Sequence, residues 1–446
     1  MSFSLEKRVQ SFIRRVETEG INLYGFMLSV NGKRKASAYY APFREGQPHR
    51  MYSVSKTMTG LAVGLLAEEG KLSLDQSICD FFPDLLPEDP DPRLLRQTVR
   101  DMLRMATCYR ATVYREREDQ DWTRPFFTGV PTHEPGTVFH YDTGCSQVLA
   151  ALVRRLSGLE VIDFLGQKLF DPLNLRDQRF WLRDPSGCCQ GGTGLCMSLR
   201  DLHRVGECLL SGGEGLLPAW FIREMSKKQI DTLLRDADEE KFGYGWQCWQ
   251  TRKGWSMYGM GGQLCVLVPE ERAVWTTIAD TRLDPCGVQK LYDAFYEELE
   301  PWLGTEDMEE TYYTLSLKPL PHEPAWEKKA AGPFRFDAGN ALGLRQMKLE
   351  GHRLIYEQAR GEVVLPFAPG QILETAFPGW PDVPALVASG WAAPDLLRLR
   401  CHAIGTAPCG FDLLLHFGED CLTVQSMRSW DPLTDGYDGV ASSVKD

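Results

Sequence analysis

The stretch MYSVSKTMTGLAVGLLAEEG, residues 51–70, decides how the rest of the chain is read. Met58, Leu61, Ala62, Leu65 and Leu66 recur at helical spacing, which predicts a helix with one stripe against a core. Gly60 and Gly64 carry no side chain and let a neighbouring element approach closely. Gly70 stands where a helix stop belongs. Lys56 is out of place in that setting, because a buried ammonium is costly unless it is paired or put to chemical use. Ser53 precedes it by three residues, and side chains so spaced on a helix are neighbours, with Cβ atoms about 5–6 Å apart. A serine hydroxyl becomes a nucleophile when a base takes its proton. A lysine can be that base if burial or nearby cations favour its neutral form. The helix N-terminus adds N–H groups aimed at any oxyanion formed at Ser53. Alone, Ser-x-x-Lys is a weak pattern; an N-cap serine and a solvated first-turn lysine also account for it.

Around this segment lie 446 residues, which favours about two or three domains over one simple core. Hydrophobic content of 43% and charged content of 25% describe an ordinary globular chain. The net charge of −12 argues against a nucleic-acid or anionic-membrane partner. The N-terminal stretch MSFSLEKRVQSFIRRVETEG has no continuous apolar region and reads as an amphipathic helix through Phe12, Ile13 and Val16, not as a signal peptide. No window reaches the ~18 apolar residues of a membrane span, so a cytoplasmic protein is expected. The 13 cysteines, odd in number and irregular in spacing, fit reduced buried thiols.

Organisation follows from the change of pattern along the chain. Two strand-like runs flank Asn31-Gly32, a hairpin signal. Residues 71–240 are mostly helical with long polar loops. FGYGWQCWQ, GQLCVLVPE and RAVWTTIAD then read as three antiparallel strands, and GVQKLYDAFYEELEPWL as a helix. Strands at both ends of the first 305 residues imply one antiparallel sheet flanked by helices, an α/β (α+β) arrangement with an inserted helical lobe over about 71–240. A cleft is expected where sheet and lobe meet. Residues 306–330 read as a connector, and 331–446, with RLIYEQ, LLRLRCH and FDLLLHF, as a small β domain.

Two further segments bear on Ser53 and Lys56. In EPGTVFHYDTGCSQVLAALVRRLSG, residues 134–158, Tyr141 sits in a loop just before an amphipathic helix, where a side chain can point into a cleft. In YGMGGQLCVLVPEER, residues 258–272, glycines precede a strand, so backbone N–H groups can approach a ligand. In this order and at these separations, SVSKT, YDT and MGG together resemble the motifs of the serine β-lactamase-like superfamily, which includes DD-peptidases, class C β-lactamases, esterases and D-amino-acid peptidases. TVRDMLRMAT, GGTGLCMSLRDLHRVGECLLSGG and FGYGW are similar to further landmarks, so the likeness covers about residues 1–305. The resemblance implies a serine hydrolase in which Ser53 forms an acyl-enzyme. Lys56 and Tyr141 share the proton transfers, their division of labour left open, and the backbone N–H groups of Ser53 and Gln263 form the oxyanion hole.

The same comparison assigns Thr143, Met260, Gly261 and Gly262 to substrate binding. Thr143 stands where the family has asparagine, and Met260 where it has lysine or histidine. Trp122, with Phe126 and Phe127, is a candidate wall of the cleft. The substrate is expected to be a small ester or amide, with no cofactor and no metal; the HEP segments at His133 and His322 lack a second histidine at helical spacing. Oligomeric state is not legible. Two alternatives stay open: a catalytically impaired binding protein on this scaffold, and a chain whose C-terminal domain carries the function by binding a partner.

Met260 and Thr143 predict weak β-lactam hydrolysis. A β-lactam carboxylate is normally held by a charge-assisted hydrogen bond worth about 1.5–3 kcal/mol, which methionine cannot make. Comparing kcat/KM for a chromogenic cephalosporin with that for a small p-nitrophenyl ester should favour the ester, and Met260→His should narrow the gap. Efficient cephalosporin hydrolysis by the natural sequence contradicts this.

Overall fold

A computed structural model describes residues 5–111, 121–304, 310–405, 409–429 and 434–444. The first four residues of the N-terminal stretch and the start of the expected connector, up to 309, lie outside the described residues. The chain divides into two compact units. One comprises Met1–Ala279 with Val288–Thr314, the other Asp280–Gly287 with Leu315–Asp446.

In the first unit, helix α1 (Leu5–Thr18) buries Leu5, Val9, Phe12, Ile13 and Val16, the stripe its periodicity predicts. Strands β1 (Leu23–Val30) and β2 (Lys33–Ala41) follow. Asn31 and Gly32 join them with φ of 53° and 69°, the left-handed pair that a two-residue hairpin turn requires. Next come helices α2 (Val54–Glu68), α3 (Thr143–Ser157) and α4 (Leu199–Leu210). The chain then returns to the sheet with β3 (Trp249–Thr251), β4 (Gly254–Gly259), β5 (Gln263–Val268) and β6 (Ala273–Ala279). Helix α5 (Gly287–Ala294) and strand β7 (Thr311–Ser316) complete it.

The sheet runs β7-β2-β1-β6-β5-β4-β3, so the two ends of this unit meet where β1 pairs antiparallel with β6. Alternation along β1 assigns its two faces to different helices. Phe26 meets Phe12 of α1 at 5.1 Å between ring centroids, and Trp275 of β6 stacks on Phe295 at 4.4 Å. On the other face, Ser29 and Thr276 hydrogen-bond the two ring nitrogens of buried His203 on α4. Gly206 lets α4 settle on the sheet, since a Cβ there would lie 2.5 Å from Cys265 Sγ.

Three readings need correction. The return to the sheet uses four strands, because KGWSMYG forms β4; within FGYGWQCWQ only the end, from Trp249, is strand. Helix α2 does not bury one stripe: every residue from Val54 to Leu66 is buried. Part of the region expected as a connector, Thr311–Ser316, supplies the edge strand β7. The expected lobe contains short helices with a three-stranded patch formed by His49–Arg50, Leu195–Met197 and Phe180–Trp181.

The second unit is an antiparallel meander. Four strands between Ala330 and Pro366 form one sheet and six between Ile372 and Ser442 form another, around a single core that includes Leu354, Tyr356, Trp391, Phe411 and Leu415. Phe336 bridges to Ser443, and Val444 N–H donates to the Arg335 carbonyl, which links the first strand of one sheet to the last of the other. Across the described residues, no helix is long and apolar enough to cross a membrane.

Burial of α2 on all sides explains its two interior glycines. A Cβ on Gly64 would lie 2.6 Å from the Phe221 ring. Gly64→Ala gains about 1 kcal/mol of helix propensity but overpacks a site where such insertions cost about 1–3 kcal/mol. A lower midpoint in thermal or urea unfolding is expected, and a Phe221→Leu background should make the same substitution cheaper. An unchanged midpoint in both backgrounds would show that the contact yields freely.

Candidate active site

Ser53 caps α2 with helical dihedrals, its side chain making no capping bond, so its hydroxyl is available to other groups. The preceding Tyr52 has φ of 44°, a left-handed conformation costing roughly 1–2 kcal/mol for a non-glycine residue. Its neighbours hold it there. Met51 N–H donates to the Leu195 carbonyl at 2.7 Å, and the Arg50 guanidinium lies 4.8 Å from the Tyr52 ring centroid while its Nε–H donates to the Thr193 carbonyl. Among the described residues nothing accepts from the Ser53 N–H, although Val54, Ser55 and Lys56 N–H groups all donate to the turn behind them. An uncommitted N–H at Ser53 is what an oxyanion donor needs.

Lys56 is 1% exposed. Its Nζ lies 3.1 Å from Ser53 Oγ, 3.1 Å from Thr143 Oγ1 and 2.9 Å from the Gly192 carbonyl. Three acceptors match the three N–H bonds of an ammonium. Once neutral, the amine keeps two N–H bonds and a lone pair, and the Ser53 and Thr143 hydroxyls are the partners that can turn an O–H toward it, whereas the Gly192 carbonyl can only accept. Burial lowers the Lys56 pKa to about 8, against the smaller opposing pull of Cys145 and Asp142.

Tyr141 reaches this pair from the N-terminus of α3. Asp142 caps that helix, accepting from Gly144 N–H at 2.7 Å, and so fixes the residue before it. The Tyr141 ring stacks on Trp249 at 5.3 Å and meets Tyr244 edge-on at 6.1 Å, with Lys56 Nζ 4.9 Å from its centroid. Burial holds its hydroxyl well above the usual tyrosine range, opposed by hydrogen bonding with Ser53. It therefore stays protonated near neutral pH.

Gln263 begins β5 opposite Gly259, and Gly259 packs its backbone on the Ser53 turn: a Cβ at 259 would lie 2.1 Å from the Met51 carbonyl oxygen. The Gln263 side chain is tied to the Met260 and Ala279 carbonyls at 3.1 and 2.7 Å. Met260, Gly261 and Gly262 form the turn between β4 and β5, with both glycines left-handed. Met260 is partly exposed there and offers no polar group.

Thr143, the expected substrate-binding residue, also accepts a hydrogen bond from Lys56. Trp122, expected on a cleft wall, is only 7% exposed; Phe126 and Phe127 are buried too, and Phe127 meets Phe82 at 5.1 Å.

Sequence reasoning missed the Gly192 carbonyl and the supporting role of Gln247. A Cβ on Gly192 would lie 2.6 Å from Thr143 Cγ2 and 3.1 Å from Lys56 Nζ, so glycine is the residue that fits. GGTG, residues 191–194, carried that signal. Gln247, left-handed at φ 57°, accepts from Ser146 Oγ at 2.6 Å and from Thr57 Oγ1 through its carbonyl. Its amide donates to the Met102 and Leu103 carbonyls, so one residue, through its backbone carbonyl and its side chain, ties α2, α3 and residues 102–103 together. Among the described residues no group of three or more His, Cys, Asp or Glu side chains is placed to hold a metal.

Residues 10–285 match the family model described as Beta-lactamase. The chain is 29% identical over 231 residues to 6-aminohexanoate-dimer hydrolase of Paenarthrobacter ureafaciens, covering 48% of this chain and 57% of the relative. The match thus spans less than two thirds of that curated relative's length. Among solved structures, D-amino acid amidase from Ochrobactrum anthropi superposes with a TM-score of 0.53 at 16% identity, over 67% of this chain and 99% of that one. Penicillin binding protein from Bacillus halodurans does so with a TM-score of 0.51 at 14% identity, over 67% and 99%. At these identities the structural likeness is one of fold.

If Lys56 must be neutral to accept the Ser53 proton, acylation follows its titration. Because the pKa is lowered, to about 8, the reactive form grows as pH rises through that value. kcat/KM for a neutral ester should rise roughly tenfold per pH unit below about 8 and level off above it. A flat profile from about pH 6 to 9 would remove Lys56 from the base role.

Proposed function

The chain belongs to the Beta-lactamase family, and on that premise we propose that it is a serine hydrolase cleaving a small amide or ester through an acyl-enzyme at Ser53. The observation that carries the reading is the fully buried Lys56 amine 3.1 Å from Ser53 Oγ, its pKa lowered to about 8. A surface lysine or a plain N-cap serine needs neither feature.

In the proposed reaction Ser53 Oγ attacks the substrate carbonyl carbon while its proton passes to Lys56 Nζ. The carbonyl oxygen takes the negative charge and is met by the N–H groups of Ser53 and Gln263. Collapse expels the amine or alcohol, which leaves with a proton delivered from Lys56 through or beside the Tyr141 hydroxyl. Water then attacks the acyl-enzyme, giving its proton to the same base, and the acid departs with Ser53 restored. Each proton removed is returned within the cycle.

The relative named as a hydrolase of an aminohexanoate dimer supports cleavage in this class. The departure at position 143 does not weaken the reading, because the threonine hydroxyl keeps a hydrogen bond to Lys56.

Treatment with a fluorophosphonate should add one label, located by mass spectrometry to the peptide containing Ser53, and Ser53→Ala should abolish it. Lys56→Arg keeps a charge that cannot be released near neutral pH and should slow labelling by orders of magnitude in a folded protein. Tyr141→Phe should slow turnover of p-nitrophenyl esters or D-amino-acid amides. Equal labelling of the Ser53→Ala protein rules the assignment out.

A further inference from the structure

The residue between Tyr141 and Thr143 has no part in the proposed reaction, yet both of its neighbours touch the proposed base. Lys56 Nζ lies 4.9 Å from the Tyr141 ring centroid and 3.1 Å from Thr143 Oγ1. Asp142 itself is only 1% exposed. Its Oδ1 accepts from Gly144 N–H at 2.7 Å, its own N–H donates to Met105 Sδ at 3.4 Å, and its carbonyl accepts from Cys145 Sγ at 3.0 Å. A serine or an asparagine caps a helix as well as an aspartate does. A carboxylate in so dry a place is the costlier choice, and it needs positive charge close by. The N-terminus of α3 offers part of that charge.

Among the described residues, the other ionisable groups next to the amine carry no charge near neutral pH. Burial holds Tyr141, Cys145 and, behind Tyr141, Tyr244 protonated. His140, which precedes Tyr141, is pushed by burial toward its neutral form. Farther out, Arg235 and Glu240 beyond Trp249 pair with each other, and Arg50 lies on the Tyr52 ring. Two groups favour the Lys56 ammonium against burial, Cys145 and Asp142. Because the thiol is uncharged in this pH range, the carboxylate is the one that acts there. With little water between them, unit charges interact strongly over several ångströms.

We propose that Asp142 is the counter-charge of Lys56: its carboxylate helps the buried amine keep a proton and so sets the pH at which the Ser53 site becomes reactive. Asp142 acts through Lys56 and not on substrate, so it is a positioning residue. Its effect on turnover rests on the acyl-enzyme reading; its effect on the Lys56 proton does not. Without the carboxylate the amine discharges at lower pH. It can then accept from Ser53 over a wider range, but as a weaker base. The YDT stretch thus places a charge between its two contact residues.

The test separates the charge from the cap. Asp142→Asn and Asp142→Ser keep a side-chain oxygen for Gly144 N–H and remove the charge, whereas Asp142→Ala removes both. The titration of Lys56 is followed by NMR in protein carrying isotope-labelled lysine, with Ser53→Ala as the common background and Lys56→Arg to assign the signal. In the Asn and Ser variants its midpoint should fall by about one pH unit. With Ser53 present, the rise of kcat/KM for a neutral p-nitrophenyl ester should move down by the same amount and reach a lower plateau. Thermal unfolding should fall clearly for Asp142→Ala and change little for Asp142→Asn, which reads the cap apart from the charge. A Lys56 midpoint that stays in place or rises in both the Asn and the Ser variants overturns the proposal. If that midpoint falls while the activity profile stays in place, or while no ester is cleaved by any of the proteins, the base or hydrolase reading fails and the counter-charge stands.

Discussion

The site depends on keeping one amine dry. Removing an ammonium from water is expensive unless every N–H finds an acceptor. Lys56 draws its three from separate parts of the chain: Ser53 on its own helix, Thr143 at the start of α3, and the Gly192 carbonyl in the loop leading to α4. None of the three can be displaced without unpairing the amine, so α2, α3 and that loop must be fixed together. The loop is laced accordingly. Thr59 Oγ1 donates to the Gly191 carbonyl, Gly191 N–H donates to Gln147 Oε1, and Leu195 N–H donates to Ser55 Oγ. Gly191 and Gly192 have no room for side chains because the atoms being brought together occupy it.

The same arrangement keeps the amine poised between its two forms. Three acceptors and the face of the Tyr141 ring favour the ammonium. Burial favours the amine and has the larger effect. A more polar pocket would leave lysine fully charged at neutral pH, and a less polar one would discharge it before it could return a proton. Tyr141 is pushed the other way by the same dry surroundings, which hold its hydroxyl protonated.

Much of this was legible at the level of elements. Asn31-Gly32 specified its turn locally, and the β1–β2 hairpin formed as its residues require. Ser53, Lys56 and Tyr141 were readable because two lie one helical turn apart and the third precedes a helix whose cap is encoded by Asp142. What was not legible depends on three-dimensional neighbours. A stripe of leucines on α2 carries no sign that Thr57 and Thr59 are also buried, since their hydroxyls are satisfied by the distant carbonyls of Gln247 and Gly191. Strand β4 was hidden because KGWSMYG offers glycines at both ends and little alternation; pairing to β3 and β5 makes it a strand. Trp122 looked like a cleft wall from its nearness in sequence to Tyr141, but proximity along a chain does not choose a face.

Thr143 shows how a departure from a family pattern can be absorbed by the site. An asparagine offers a carbonyl acceptor and two amide N–H donors. Threonine retains an acceptor for Lys56 in its hydroxyl and loses the amide donors that could face substrate. Its methyl group fills the space above Gly192, where a Cβ would come within 2.6 Å of it. The exchange therefore keeps the hydrogen bond to Lys56 and gives up two amide N–H donors. Met260 makes an equivalent change on the opposite motif, replacing a potential cation with an apolar, partly exposed side chain. The Ser53–Lys56 geometry is set by the burial of Lys56, which makes no demand on a substrate.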